Sequence, residues 1–534
     1  MLKYGLNRAS GIGHRASGIS YRQFSQFLAQ TQSLFPLKNY LFHCFNISNN
    51  LRIKHRYLSL SPNKINSLLQ KVITIFCFCL FIFSDANSLN VATAKIIEGN
   101  APQVVNTELA ANKHGFTVNG VFYSEANNNI NGNKVKEFSG DLRLKDFTIK
   151  NFYYDSLDNK LNFADNDGDD IDTTRPFLLT NTSFKWYDAN GQVLTDQSKT
   201  ISTCENESYS LPLTLEITTQ LKTYSKYGIP NESDFVPITK RYQIVTTPEI
   251  CGIKPNQMFV HPNRIWASPY IVNINGVKEC NFKGYDSLEE SISDPKGTGW
   301  NQPGTEKRND YCGGGYDANV FDPKLGFKPS AKPSFPTSGF PGAEFRILVK
   351  GLQTDYTYSV INNSGGGVSV DKMGNVTLNN KPTGEVTVRI KTKWESSFLY
   401  DYTFNPTKVW IEPQEGLYST YAQAIERCGG ETNIPTRVDM TNSPNAPATW
   451  TELPLQWDTF TRAIGEGLFA EWGETTKTAY PKSNWQQQWQ WFYSRDHFDN
   501  RNHPGYSDIY AIDAWIGQIQ VWGNGVELRA MCKR

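Results

Sequence analysis

Six cysteines punctuate the chain beyond residue 94: Cys204, Cys251, Cys280, Cys312, Cys428 and Cys532. No two of them stand at the C-x2–4-C spacing that zinc sites use, and an even set of this kind reads as disulfides. Disulfides persist only in oxidising surroundings, so the chain is expected to leave the cytosol. Cys532 lies in "VELRAMCKR", third from the last residue. Chain ends usually fray, so a crosslink there would have a purpose: to hold an end that would otherwise peel away. Six cysteines allow fifteen pairings, and the count alone does not choose among them.

The remaining cysteines, Cys44, Cys77 and Cys79, fall in a leader. Its apolar run "VITIFCFCLFIFS" (72–84) follows Lys64 and Lys71 and precedes small residues at Ser84 and Ala86. About thirteen residues are too few to span a hydrocarbon layer of ~30 Å as a helix. A basic flank, a short apolar core and small residues make a secretory signal peptide, with a second possible cut after Ala94. A buried helix or a short anchor is the competing reading. Residues 1–60 hold the repeat "RASGIGH", "RASGIS" and no packing period, so they are expected to precede the true translation start or to form an unstructured extension. The mature chain is expected not to span a membrane.

Residues 1–84 carry ten of the 53 Lys and Arg and no Asp or Glu, which leaves 43 basic against 52 acidic residues, or −9, beyond them. An acidic body of that kind argues against nucleic-acid binding, which draws most of its affinity from phosphate neutralisation. Aromatic residues make up 13% and charged residues 20% of the sequence, a globular, turn-rich composition.

Short alternating runs point to β structure. "FTVNGVFY" (116–123), "TSFKWYDANGQVL" (182–194), "LPLTLEI" (211–217) and "KRYQIVTT" (240–247) read as strands, the second folding as a hairpin about "DANG". A β-sandwich-like domain is expected over 95–250. Residues 251–340 are rich in Pro, Gly and Asn and bury little alone, so a Cys280–Cys312 bond is expected to staple them. Cys204 is expected to meet Cys251. Period-two runs at 356–360, 368–370, 375–378 and 385–390 suggest an immunoglobulin-like module over 341–394, short for a complete one. In 395–534 the texture changes, and ten of the thirteen Trp lie between Trp394 and Trp522. "STYAQAIERCGG" reads as a helix capped by Ser419 and stopped by Gly429. "LPLQWDTFTRAIGEGLFAEWG" aligns Trp457, Phe460, Ile464, Leu468 and Trp472 at helical spacing. "AWIGQIQVWGNGVELRAMC" reads as two strands about "GNG".

This layout resembles a C-type lectin-like domain, in which a cysteine late in the first helix bonds to one in the last strand. The resemblance implies a Cys428–Cys532 bond closing a loop of just over 100 residues. Following an immunoglobulin-like module, the C-terminal region looks like the tip of the intimin/invasin adhesins of Gram-negative bacteria. The middle of the chain resembles an adhesion-domain family of enterobacterial surface proteins, through "DNDGDDIDTTRPF", "CGIKPNQMFV", "CGGGYDANVFDPKLGFKPS" and "FPTSGFPGAEFRI". The fold implied is mainly β and multidomain: β-sandwich-like domains followed by an α+β C-type lectin-like domain. The function implied is a secreted or surface-displayed adhesin that binds a host or neighbouring-cell surface protein through its C-terminal domain. The calcium-binding Glu-Pro-Asn of sugar-binding C-type lectins has no counterpart. "EPQ" (412–414) precedes the first helix, so protein recognition is favoured over calcium-mediated sugar binding.

"DNDGDDID" offers Asp165, Asp167, Asp169 and Asp172, hard oxygen ligands of the kind calcium prefers, but its glycine is misplaced for an EF-hand, and a solvated acidic turn is the alternative. No cofactor is required by any motif. "NWQQQWQWFYSRD" (484–496) supplies a candidate receptor patch of Trp489, Trp491, Tyr493 and Arg495, residue types enriched at binding hot spots; the same rings could instead fill a core low in aliphatics. A secreted carbohydrate-binding protein that uses this Trp-rich stretch as a sugar-stacking platform is the second functional reading. His497 and His503 with Asp496 and Asp499 match no ligand spacing. No nucleophile elbow, P-loop, HExxH or dinucleotide fingerprint occurs, so an enzyme is not expected.

Overall fold

The computed structural model describes residues 98–153, 157–204, 208–261, 266–274, 277–285, 312–394, 397–416, 418–445, 453–488 and 490–534. The apolar run 72–84 and its signal-peptide reading lie outside the described residues. The chain divides into Met1–Ala94 and a compact unit, Lys95–Arg534. Among the described residues no helix is long and apolar enough to cross a membrane.

The first sandwich is built on two long antiparallel strands, Leu213–Thr223 and Val236–Thr246, registered from Leu213 against Ile244 to Leu221 against Val236. Leu213, Leu215, Ile217, Thr219, Leu221 and Thr223 are buried while the residues between them are half-exposed, the period of two that one covered face imposes. Ser183–Tyr187 pairs with the first of these strands and with Val193–Leu194, forming the hairpin about "DANG". A second sheet, Val121–Ser124, Gly115–Val118 and Thr148–Ile149, packs across it. Phe116 sits between the layers, with ring centroids 5.6 Å from Tyr242 and 5.9 Å from Phe138, and Phe147 reaches Trp186 at 5.3 Å.

The immunoglobulin-like module takes strands from both sides of the boundaries expected at 340 and 394. One sheet runs Phe321–Asp322, Gly326–Phe327, Ile250–Pro255, Ala343–Val349, Asn375–Leu378, Val368–Val370; the facing sheet is Tyr356–Asn363, Val386–Thr392, Leu399–Phe404. The segment 341–394 reads as short because its missing strands come from earlier and later in the chain, a consequence of antiparallel pairing that sequence period does not reveal. The Cys204–Cys251 bond, Cα atoms 5.7 Å apart, ties the first sandwich to the strand Ile250–Pro255. The buried Asp355 carboxylate accepts the Leu211 N–H at 3.0 Å across the same junction.

The C-terminal head starts from Val409–Pro413, which pairs in parallel with Ser338–Gly339 and antiparallel with Met531–Lys533. The helix Tyr421–Cys428 follows, with Thr420 rather than Ser419 as N-cap, in a capping box with Gln423, and Gly429 in the left-handed region (φ 71°) as its stop. A short helix, Arg437–Met440, and a largely irregular stretch lead to the three-stranded sheet Trp491–His497, Tyr506–Asp513, Ile519–Gly523.

Two expectations for the head are corrected. Helix is confined to Leu468–Trp472, because Gly465 (φ 76°) and Gly467 (φ 107°) break the right-handed path before it. Upstream the chain runs extended against "CGGG": Thr459 N–H reaches Cys312 O at 2.9 Å and Arg462 N–H reaches Gly315 O at 2.9 Å. The helical spacing of Trp457, Phe460 and Ile464 is coincidental. The last two strands do not pair with each other either. Ile519–Gly523 joins Tyr506–Asp513, whereas Met531–Lys533 crosses to Val409–Pro413.

Candidate recognition head

Cys428 and Cys532 are bonded, with Cα atoms 5.2 Å apart and a sequence separation of 104. Closing a loop of that length removes roughly 4–5 kcal/mol of denatured-state entropy in the chain-entropy account. Both cysteines sit in a small core with Ala424, Ile434, Tyr493, Ile509, Ala511, Leu528 and Ala530. Helix and final strand are thereby fixed to one face of the three-stranded sheet. Cys280 and Cys312 are also bonded, buried beside Leu455.

Buried charge holds the irregular segments. The Glu471 carboxylate, fully buried, accepts from Thr337 N and Oγ1, Ser338 N and Oγ, and Gly465 N at 2.5–3.0 Å. Burial still raises its pKa. Arg462, also fully buried, donates from Nη2 to Glu471 O at 2.9 Å and lies over the Phe321 ring at 4.8 Å, and its pKa falls to about 10 through desolvation. Asp458 takes the Ile519 N–H at 3.1 Å and the Asn445 N–H at 3.4 Å; Asp513 takes Trp515 N–H at 2.9 Å and Ile516 N–H at 3.2 Å. Desolvation pushes both up to about 7. A cleft of about 450 Å³ is lined among others by Thr337, Lys408, Asp439, Asn442 and Glu466.

The described residues of the receptor patch expected at 489–495 differ in exposure. Trp489 lies outside the described residues. Tyr493 is buried, its hydroxyl donating to Ser419 O at 2.8 Å, because its position on the strand faces the helix. Arg495 anchors the 430s loop through Thr432 O at 3.2 Å. Trp491 is half-buried, edge-on to Trp522 at 5.4 Å. Trp410, Trp472 and Trp485 are core residues. The exposed platform is elsewhere. Tyr418, 47% exposed, lies 4.7 Å below the Arg529 guanidinium, and both are fixed by Gln490 Oε1, at 2.6 Å from the Tyr418 hydroxyl and 3.2 Å from Arg529 Nε. Residues 418, 490 and 529 share no motif or period, so only the fold brings them together. Trp457 is a further surprise, 45% exposed with φ 63°, where bulky residues are rare.

The acidic run does not gather as a cation site. Among the described residues no three His, Cys, Asp or Glu side chains form a group that could hold a metal. Three of the carboxylates are turned to their own partners: Asp165 accepts from Asp167 N at 2.8 Å and Asp169 N at 3.4 Å, Asp167 from Asn100 N and side chain, and Asp172 from Thr174 N at 2.9 Å. In 494–503 Asp496 is claimed by Arg437 and Asp499 by Arg501, and His497 lies between Asp508 (3.3 Å) and Glu431 (3.4 Å) on the surface.

Residues 321–404 match the family model described as invasin, domain 4. That segment is invasin-like. Among solved structures, the crystal structure of invasin, described as a bacterial integrin-binding protein, is 16% identical over 70% of this chain and 61% of that one, with a TM-score of 0.31. The C-terminal 282-residue fragment of intimin, solved with the intimin-binding domain of its translocated receptor, is 14% identical over 67% of this chain and 86% of that fragment, with a TM-score of 0.28. Intimin-190 from enteropathogenic E. coli is 19% identical over 36% and 86%, with a TM-score of 0.22. The chain thus spans about three-fifths of the solved invasin. No curated protein matches it. The invasin-type match spans strands of both sheets of the immunoglobulin-like module, including Phe321–Asp322, Gly326–Phe327 and Leu399–Phe404 but not Ile250–Pro255.

Proposed function

We propose that this invasin-like chain is an exported adhesin, secreted or held at the outer surface of a Gram-negative bacterium, that binds a host or neighbouring-cell surface protein through its C-terminal head. The observation that carries this reading is the Cys428–Cys532 bond, which closes the head directly after an invasin-type module. A closed, crosslinked end is suited to recognition because its surface is organised before the partner arrives, so little ordering entropy is lost on binding. We assign the contact surface to the Tyr418–Arg529 platform with Trp491 beside the same strand; a tyrosine and an arginine held by a buttressing amide are hot-spot chemistry. A sugar-stacking role for the Trp-rich stretch finds little support, since Trp485 is fully buried.

The test is binding of the purified Lys95–Arg534 chain to cultured cells. Saturable binding that disappears when the cells are treated with protease, and survives glycosidase, is expected. Binding abolished by glycosidase alone, or no cell binding at all, sinks the proposal.

A further inference from the structure

A depression of about 390 Å³ opens on the first sandwich, bounded by residues 113–115, the strand Val121–Ser124 with the turn after it, and residues 150–153. That volume lies within the range of small-molecule sites, which begins near roughly 300 Å³. Its walls are aromatic. Phe152 stacks on the buried His114 at 4.6 Å, Phe122 crosses Gly115, and Tyr153 stands 65% exposed at the rim. A Cβ on Gly115 would meet Tyr123 O at 2.1 Å and the Phe122 ring at 2.7 Å, so at this point the lining is bare backbone under a ring.

The charge of the depression opposes that of the body around it. Lys113 and Lys150 line it and, among the described residues, no Asp or Glu does, although the chain beyond residue 84 carries −9. The Lys150 ammonium lies 5.7 Å from the Phe122 ring centroid, while Lys113 also faces Asp158, which makes Lys150 the principal cation. His114 adds no charge, because its ring is engaged by Thr219 Oγ1 at 3.0 Å and burial lowers its pKa to about 4. Asn127 and Asn151 complete the lining with amides that both donate and accept.

We propose that this depression binds a carboxylated sugar, the acidic unit of a surface glycan, with the carboxylate toward Lys150 and Lys113 and the ring against Phe122, Phe152 and Tyr153. A lone phosphate would leave three aromatic walls unused, and a neutral sugar would leave the Lys150 ammonium with only the Phe122 ring beside it. The asparagine amides match the alternating donor and acceptor character of sugar hydroxyls. The site is separate from the head and does not depend on the reading given for it.

Calorimetric titration of the full chain with glucuronate and N-acetylneuraminate, beside glucose, N-acetylglucosamine and AMP, tests this. The two acidic sugars should bind, more weakly as salt is raised, and the neutral sugars should not. Lys150→Gln should weaken binding about tenfold or more, the loss of one charge-assisted hydrogen bond. Tyr153→Ala should weaken it without moving the thermal unfolding midpoint, since Tyr153 is exposed. Equal binding of acidic and neutral sugars, tighter binding of AMP, an unaffected Lys150→Gln variant, or no binding of any probe overturns the proposal.

Discussion

The first sandwich and the C-terminal head bury very different side chains. In the sandwich the buried polar residues are His, Asn, Ser and Thr, and no Asp, Glu, Lys or Arg among the described residues is buried. The head buries Arg437, Asp439, Asp458, Arg462, Glu471 and Asp513. The reason lies in the backbone. Long paired strands satisfy each other's N–H and C=O groups, so the space between sheets can be filled with Phe, Leu and Ile. The head is largely irregular between 430 and 490, and its buried N–H groups need other acceptors. Glu471, Asp458 and Asp513 between them take those of Thr337, Ser338, Gly465, Asn445, Ile519, Trp515 and Ile516. Regular structure permits an apolar core; irregular structure needs carboxylates inside it.

The contrast can be broken most directly at Glu471. Glu471→Leu keeps volume and removes a buried charge, a change that is often harmless when an ion pair is replaced as a unit. Here it strands three N–H groups and two hydroxyls and takes a negative charge away from the buried Arg462, whose bond to the 471 carbonyl remains, and should cost about 3–5 kcal/mol by urea unfolding. A stable Glu471→Leu variant would show that the carboxylate is not needed by the irregular backbone. In the sandwich, Leu215→Ala should cost about 2–5 kcal/mol through lost packing alone. The double change Cys428→Ser, Cys532→Ser should lower stability by about 2–5 kcal/mol and expose the final strand to carboxypeptidase, leaving the sandwich transition in place. Loss of both transitions together would mean that the two regions unfold as one.

The comparison also has a pH signature. Folded Asp458 and Asp513 hold protons up to about pH 7, whereas in the unfolded chain they release them near the usual carboxylate value of 3.8. Between those values the native state binds more protons, so stability falls as pH rises from about 4 to about 7 and then levels. Asp458 faces Ser443 and Asn445, and Asp513 faces Glu474. Urea midpoints at pH 5 and pH 8 should differ in that direction, and Asp513→Asn should narrow the gap. A midpoint that rises with pH over this interval would contradict it. The smallest effect on stability is expected for Tyr418→Ala and Arg529→Ala, each within about 1 kcal/mol of the parent, although both should reduce cell binding.

The same contrast explains what could be read from sequence. Strands at 116–123, 182–194, 211–217 and 240–247 were legible because alternation and turn residues agree there, and the helix ending at Cys428 announced itself through its cap residues and glycine stop. The run 453–467 misled: Trp457, Phe460 and Ile464 fall at helical intervals, yet contacts with "CGGG" more than 140 residues earlier decide its conformation. The candidate patch at 489–495 was drawn from composition, and composition does not separate a core tyrosine such as Tyr493 from an exposed one such as Tyr418. Residues 418, 490 and 529 become neighbours only after the head has closed.

Gly313, Gly314 and Gly315 all adopt positive φ, and a Cβ on Gly313 would come within 2.0 Å of Thr459 O. The seam between module and head is therefore main chain laid against main chain. The three glycines offer no side chain of their own to lengthen, shorten or recharge, so mutation at these three positions can disrupt the seam but has no gradual way to adjust it. If the head binds a target as proposed, variation that adapts it to a different one must fall on residues that project from the closed head, and leave its attachment as it is.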